Sequence, residues 1–225
     1  MKLVCISDTH GTHARLNMPA GDVLIHAGDF STHGTFKELE NFGAWMRAQP
    51  YKHKILVAGN HDMSLAATPA CFPSAYLDGI AYLCDGGVVI DGVSFWGSPW
   101  TPRFGNWSFM KQRHGQELRD VWDAIPDGTD VLVTHGPSHG TLDKNDQSFS
   151  CGCELLHERL LVVRPGVHIF GHIHESPGVV QRSFGARVSV NASMLDYRAS
   201  MLDCRWPVRE PIVLDTKDLG IGYGR

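Results

Sequence analysis

Short apolar runs recur along this chain, and polar residues follow directly where five of them end. The five runs are Leu3–Ile6, Val23–Ala27, Ile55–Ala58, Val131–Val133 and Val167–Phe170. Continuous apolar runs of this length, bounded by glycine or polar residues, are typical of strands buried on both faces. The pattern therefore predicts a sheet with a buried, mainly parallel core.

Other segments predict helices and hairpins. Residues 35–48 carry apolar side chains at helical spacing and begin with Thr35 and Glu38, the pattern of a capping box. Further helices are predicted at 109–122 and 153–163, and hairpins at 88–96 and 179–190. This mixture predicts an α/β fold, and the length of 225 residues suits one domain spanning 1–225.

The polar residues that follow the five strands are of the types that bind metal ions. They are Asp8, His10, Asp29, Asn60, His135, His172 and His174. Because ligands in open α/β sheets bind at the carboxyl ends of strands, we expect these side chains to meet at one edge. Any one histidine can instead cap a strand or satisfy a buried carbonyl, but five strand ends of the same kind indicate a common site.

Seven ligand groups are too many for one transition-metal ion and suit two. Asp29 is the natural bridge, together with a water or hydroxide, because a carboxylate can bind two cations. Imidazole, carboxylate and amide ligands without a thiolate fit Mn, Fe, Co, Ni or Zn. Two divalent ions against Asp8 and Asp29 leave a charge of about +2, which attracts an anionic substrate. Such a centre suits in-line attack of an activated hydroxide at phosphorus.

The two residues that directly follow Asn60, His61 and Asp62, are candidates for catalysis. His61 lies beside the predicted metal pair and is placed to protonate a leaving-group oxygen. Asp62 is placed to orient the His61 imidazole by a hydrogen bond. The alternative for Asp62 is a loop carboxylate that caps the start of a helix.

A loop rich in proline and glycine at 97–107 is the predicted wall of a substrate site. Either Trp100 or Trp107 is suited to stack on a nucleobase, and Arg103 to contact a phosphate or ribose. The alternative is that both tryptophans pack the loop onto the domain. We select Trp100 and Arg103 as the substrate-binding candidates.

Composition narrows the class of partner. The net charge is −4 and no long basic run appears, which disfavours binding to long nucleic acid and leaves a small phosphoester as the expected partner. No apolar stretch reaches transmembrane length or resembles a signal peptide, and the six cysteines lack metal-finger spacing. We therefore expect reduced thiols and a cytoplasmic location, with a homodimer left open. The chain has thirteen histidines, and the sequence gives no argument for a role of His26, His33, His53, His139 or His168.

The ordered motifs resemble those of the calcineurin-like metallophosphoesterase superfamily. The matching blocks are Asp8-x-His10, Gly28-Asp29, Gly59-Asn60-His61-Asp62, Thr134-His135 and Gly171-His172-Ile173-His174. The resemblance implies a four-layer α/β/β/α sandwich with a dimetal site at one edge, and His61 as the catalytic histidine. It also implies that Asp29 is shared, that Asp8, His10 and His174 complete one shell, and that Asn60, His135 and His172 complete the other.

Further stretches narrow the resemblance to the MPPED-type metallophosphoesterase-domain proteins. These are Gly97–Pro102, Thr134–Pro137, Phe170–Glu175 and Val190–Ser193. That subfamily is similar to class III cyclic-nucleotide phosphodiesterases. The expected function is hydrolysis of 3′,5′- or 2′,3′-cyclic nucleotides and aryl phosphodiesters. The alternatives are a phosphomonoesterase or protein phosphatase, or a nucleotide-binding protein with little turnover.

Overall fold

Two β-sheets face each other at the centre of the computed structural model, which describes residues 1–67, 75–196 and 208–221. In spatial order, the strands of the first sheet are β13 (Ile212–Asp215), β1 (Lys2–Ile6), β2 (Val23–Ala27), β3 (His53–Val57) and β4 (Ala81–Tyr82). Strands β1 to β4 run parallel, and β13 pairs antiparallel with β1. The parallel core agrees with the continuous apolar runs in the sequence.

The second sheet has a parallel centre flanked by two hairpins. In spatial order, its strands are β11 (Gly178–Gln181), β12 (Val188–Asn191), β10 (Val167–Phe170), β9 (Val131–Thr134), β6 (Val93–Ser98) and β5 (Gly86–Ile90). The four central strands are parallel, whereas β11 and β5 pair antiparallel with their neighbours. Both predicted hairpins are therefore confirmed. A small separate pair joins β7 (Thr101–Pro102) to β8 (Met110–Lys111).

Alternation along the strands builds four layers. In β1, Leu3 and Cys5 enter the core between the sheets, while Val4 and Ile6 pack on the opposite face. Helix α1 (Phe36–Ala48) covers that outer face of the first sheet, after the short 3-10 helix His13–Arg15. After the short α2 (Met63–Ala66), helices α3 (Gln116–Asp123) and α4 (Glu154–Val163) cover the outer face of the second sheet. This is the four-layer α/β/β/α sandwich that the family resemblance implied.

The helix predictions are partly confirmed. Helix α1 begins with the expected capping box between Thr35 and Glu38, and α4 lies within the predicted 153–163. The helix predicted over 109–122 is wrong in its first half, because Met110 belongs to a strand and α3 begins only at Gln116. Phe109 has a left-handed backbone (φ 51°), which no helix continues through.

Four cysteines in the described part of the chain, Cys5, Cys84, Cys151 and Cys153, are free thiols. Burial raises the pKa of Cys5 to about 12, so this thiol stays protonated and inert. Cys71 and Cys204 lie outside the described residues. None of the described helices is both long enough and apolar enough to cross a bilayer.

Three histidines are buried in the neutral form, and they make the stability of the fold depend on pH. Burial lowers the pKa of His26 and His168 to about 3, and that of His13 to about 4. In the unfolded chain a histidine titrates near about 6.5, so below that pH the unfolded state binds more protons. The stability that each contributes is complete above about pH 6.5 and is lost as the pH falls toward its folded value.

We expect His168→Gln to remove part of this pH dependence. His168 Nε2 lies 2.8 Å from Thr134 Oγ1, a hydrogen bond that glutamine can replace without titrating. Between pH 7.5 and pH 5, the free energy of unfolding should fall by about 2 kcal/mol more in the wild type than in the variant. Urea unfolding at both pH values measures this, with the exposed His33→Gln as control. Parallel pH profiles for all three proteins would contradict the prediction.

Candidate metal centre

The side chains that follow the five strands meet at one edge shared by both sheets. Their ligand atoms form three groups, within each of which these atoms lie within 4.8 Å of one another. The groups are Asp8, His10 and His174; His10, Asp29 and His61; and Asp29, His135 and His172. His10 and Asp29 each belong to two groups, so the three form one continuous cluster.

Distances within the cluster match a set of ligands that face common centres. Asp8 Oδ1 lies 3.4 Å from His174 Nε2, and Asp29 Oδ2 lies 3.4 Å from His135 Nε2. Asn60 joins through its Oδ1 atom, which is 3.0 Å from His135 Nε2. The structure therefore brings together all seven ligands that the sequence predicted, along with His61.

Hydrogen bonds to backbone carbonyls orient four of the imidazole rings. The Nδ1 atoms of His10, His61, His135 and His174 lie 3.1, 2.8, 3.0 and 3.2 Å from the carbonyl oxygens of Ser31, Thr32, Ala27 and Leu195. A carbonyl oxygen only accepts, so each Nδ1 carries the proton and donates it. In the neutral ring Nε2 then presents a lone pair, which is the arrangement that metal-ligating histidines adopt. This donor set fits divalent transition-metal ions.

Four of the predicted ligands have a left-handed backbone. The φ angles of Asp8, His10, Asp29 and His172 are 53°, 39°, 56° and 70°. Such a conformation costs about 1 kcal/mol or more per non-glycine residue and is concentrated at functional sites. The backbone therefore turns sharply after β1, β2 and β10, and these turns direct the predicted ligands into the cluster.

Two glycines let the chain pass close to the carboxylates. A Cβ atom on Gly59 would lie 2.2 Å from Asp29 Oδ1, and a Cβ on Gly171 would lie 2.0 Å from Asp8 Oδ2. Both distances are shorter than atoms in contact can reach, so only glycine fits at either position. The glycine in each of these two motifs is thus explained by the close approach of Asp29 and Asp8, the two carboxylates predicted to bind metal.

Comparison with known proteins identifies the family. A family model described as calcineurin-like phosphoesterase matches residues 1–176, which is most of the chain. The chain belongs to the calcineurin-like phosphoesterase family. Members hydrolyse phosphoesters with divalent metal ions, so this protein is a metal-dependent phosphoesterase.

Relatives and a solved structure agree with this assignment. The chain is 37% identical to human metallophosphoesterase domain-containing protein 1 over 95% of its own length and 70% of the relative. It is 40% identical to a UPF0046 protein of Caenorhabditis elegans, over 86% of the chain and 69% of the relative. A crystal structure 15% identical superposes with a TM-score of 0.58, covering 84% of this chain and 89% of the other. The last likeness shows the shared fold.

Charge in the phosphoesterase cluster favours binding of a cation. Burial alone would raise the pKa of Asp29, but His135 and His10 outweigh it and hold the value at about 2. Burial would likewise lower the pKa of His135, but Asp29 and Asp8 raise it to about 9. Both shifts reflect attraction between buried carboxylates and positive charge. A divalent ion supplies that charge in place of a proton.

The hydrogen bonds of Asp62 correct the sequence prediction for this residue. Its carboxylate does not bond the His61 imidazole, nor does it cap α2; it accepts from the backbone N–H groups of Asp29 (2.9 Å), Ser31 (3.1 Å) and Gly59 (2.8 Å), and from Ser31 Oγ (2.7 Å). Burial, with Asp29 nearby, raises the pKa of Asp62 to about 7, while these donors favour its ionised form. Asp62 therefore fixes the loops that carry Asp29 and Asn60, and the Thr32 carbonyl orients His61.

Aromatic side chains from the 97–107 loop flank the cluster. The Trp107 ring lies 4.4 Å from the His61 ring, centroid to centroid, at an angle of 31°. The Phe104 ring lies 5.1 Å from that of His172. Trp107 and Phe104 are exposed (42% and 53%), so each offers accessible apolar surface next to the cluster.

The two substrate-binding candidates chosen from the sequence lie elsewhere. The Trp100 indole donates to Asp85 Oδ2 (2.8 Å), its ring faces Lys111 Nζ at 4.2 Å, and it packs against both outer cores. Arg103 lines a separate cleft together with Lys111 and Gln116. Trp100 is thus held by packing, which was the alternative for it, and the contacts that the described residues give Trp100 and Arg103 do not include a member of the three ligand groups.

Sequence reasoning missed the residues that brace the ligand loops. His26 Nδ1 accepts from the Gly28 N–H (3.2 Å), and its Nε2 lies 3.0 Å from Thr9 Oγ1, which ties the Asp29 loop to the Asp8 loop. Arg209 donates to the carbonyl oxygens of Leu195 and His174 and so supports a second ligand loop. A histidine in mid-strand was the available indication for His26, whereas no motif marks Arg209.

Proposed function

We propose that this phosphoesterase holds two divalent transition-metal ions and hydrolyses small phosphodiesters, with cyclic nucleotides as the leading substrates. The observation that carries the proposal is the sharing of Asp29 between two of the three ligand groups. One ion would take Asp8, His10, Asp29 and His174. The other would take Asp29, Asn60, His135 and His172, with Mn, Fe, Co, Ni and Zn all suited to such ligands.

The chain positions and protonates the substrate in this scheme. When bound, the ions supply a lowered pKa for water and positive charge against the phosphoryl oxygens. His61 donates from Nδ1 to the Thr32 carbonyl (2.8 Å), so in the protonated imidazolium the proton on its other ring nitrogen is the one available to the leaving oxygen. The backbone N–H of His61 donates to Asp29 Oδ1 (2.7 Å). This hydrogen bond fixes the position of the proposed proton donor relative to the shared carboxylate.

The exposed aromatic faces favour a diester over a monoester. A diester carries one negative charge and an organic group on each side of phosphorus, and these groups need apolar surface. Phe104 and Trp107 offer that surface beside His172 and His61. A nucleobase or an aryl ring stacks on such faces with about 1–3 kcal/mol per base.

A substrate panel tests the proposal. The protein is assayed with each of the five metals on bis-p-nitrophenyl phosphate, p-nitrophenyl phosphate, and 3′,5′- and 2′,3′-cyclic AMP. We expect kcat/KM for the aryl diester to exceed that for the monoester by about tenfold or more, with close to two ions per chain. Preference for the monoester would favour a phosphomonoesterase. Nucleotide binding without hydrolysis under every metal would favour a binding protein.

His61→Ala should lower kcat by about 10²- to 10⁴-fold while the metal content stays near that of the wild type. The reason is that the proposed ligand shells do not include His61, so its loss removes the proton donor alone. Turnover and elemental analysis of the same preparation measure both quantities. The exposed His114→Ala is the matched control. Wild-type turnover in the His61 variant would rule out the catalytic role.

A further inference from the structure

A second cavity lies far from the metal centre and is lined by arginines. Its volume is about 700 Å³, and Arg164, Arg182 and Arg187 stand on its wall. Asp130 and Gly166, which also line it, directly precede strands β9 and β10. The cavity therefore opens at the amino ends of these strands, whereas the metal ligands follow their carboxyl ends. A four-residue strand separates the two edges by roughly 13 Å.

The three guanidinium groups have no carboxylate partner among the described residues. Arg187 donates to the carbonyl oxygen of Leu219, and Arg164 Nε donates to that of Leu161 at 3.0 Å. Arg182 makes no side-chain hydrogen bond or ion pair within the described chain. Asp130 supplies negative charge on the wall, and its Oδ2 accepts from the N–H (2.9 Å) and Oγ (2.8 Å) of Ser94. The wall thus carries more positive than negative charge, in a protein whose net charge is −4.

Backbone conformation also sets this cluster apart. Arg164 ends α4 with φ 49°, and Arg182 follows β11 with φ 55°, both in the left-handed region. Glycine is the residue that best suits this conformation at helix and strand ends, so an arginine at either position is unusual. Two such arginines on the wall of one cavity suggest that their guanidinium groups serve a ligand.

We infer that this arginine cavity binds a small molecule through a dianionic phosphate group. Guanidinium groups match phosphate oxygens with paired, charge-assisted hydrogen bonds, and three of them line this one space. The proposal stands apart from the phosphodiesterase activity, because no metal ligand lines the cavity.

The rest of the wall indicates what the phosphate is attached to. Leu161, Pro165 and Ile221 contribute apolar surface to the lining of the cavity. Its volume falls in the range of about 300–1,000 Å³ that holds small organic ligands, which is larger than inorganic phosphate requires. A phosphate monoester with an apolar or aromatic body, of nucleotide size, meets both requirements.

Site-resolved titration tests the inference on the zinc-loaded full chain. Zinc is diamagnetic, so the Nε–Hε signals of the three arginines and the amide signals of Gly166 and Gly185 can be followed by ¹⁵N NMR. Inorganic phosphate and AMP should shift these signals, with AMP binding more tightly, and adenosine should leave them unchanged. Signals from the metal-ligand residues report any separate binding at the metal centre.

Two variants that each remove one positive charge distinguish a specific binding site from general electrostatic attraction. Arg182→Gln should weaken AMP binding at the cavity by about tenfold, whereas Arg119→Gln on α3 should change it less than twofold. Arg182 is exposed, so the fold should survive, and unchanged amide spectra elsewhere verify it. Absence of shifts at millimolar phosphate and AMP, equal shifts with adenosine, or equal weakening by both variants would overturn the inference.

Discussion

Asp29→Ala is expected to remove both metal ions and to lower kcat/KM by about 10⁴-fold or more. Asp29 is fully enclosed, belongs to two of the three ligand groups and accepts the His61 N–H. Of the seven proposed ligands, Asp29 and Asp8 alone carry negative charge. Loss of Asp29 therefore removes one of the two negative charges that would hold the ions. It also removes the carboxylate that would be shared between them.

A residue on the same strand provides the control. Asp22 lies at the other end of β2, where its Oδ2 accepts the Lys2 N–H at 2.7 Å. Asp22→Ala should keep two ions per chain and wild-type turnover, because it alters the same strand without touching the ligands. Elemental analysis and kcat/KM on an aryl diester measure both variants. An Asp29→Ala protein that retains two ions would refute the shared-carboxylate scheme.

Gly171→Ala should damage the metal centre without altering any ligand. The added methyl would lie 2.0 Å from Asp8 Oδ2 and 2.1 Å from Ser7 Oγ, so either the 170–174 loop or Asp8 must move. Asp8 also accepts the His172 N–H (2.9 Å) and the Ser193 hydroxyl (2.8 Å), and displacement breaks both. We expect a loss of about 1–3 kcal/mol in stability from overpacking, with turnover at least about 100-fold lower.

Gly86→Ala is the matched control for the glycine substitution. Its new Cβ would meet only Cys84 O, at 3.8 Å, and its φ is not left-handed. Thermal unfolding and metal content should therefore stay close to the wild type. If Gly171→Ala bound metal and turned over as well as Gly86→Ala does, the proposed close approach of Gly171 to Asp8 would be wrong.

Sequence periodicity predicted the fold because the strands are buried on both faces. Each apolar run in β1, β2 and β3 packs one set of side chains between the sheets and the other under α1, so nearly all of these positions are apolar, with His26 as a buried exception. The ligands were predictable for a related reason. Parallel strands end at the same edge, so polar residues after each run arrive at one place.

Contacts that depend on loop conformation were beyond the sequence. Asp62 follows His61 in the chain, yet its side chain turns inward to the N–H groups of Asp29 and Gly59. Trp100 and Trp107 belong to one loop, but the β7–β8 pairing buries part of the first and leaves the second beside His61. The side chains of neighbouring residues point in different directions at such turns, and the hydrophobic periodicity of the sequence does not predict these directions.

The predicted ligands come from both sheets of the sandwich. Asp8 and Asp29 extend from the first sheet, while His135 and His172 extend from the second. Ions bound by residues of both sheets would hold the two layers together at the edge where these residues meet. Such ions would therefore stabilise the contact between the two sheets as well as serve catalysis.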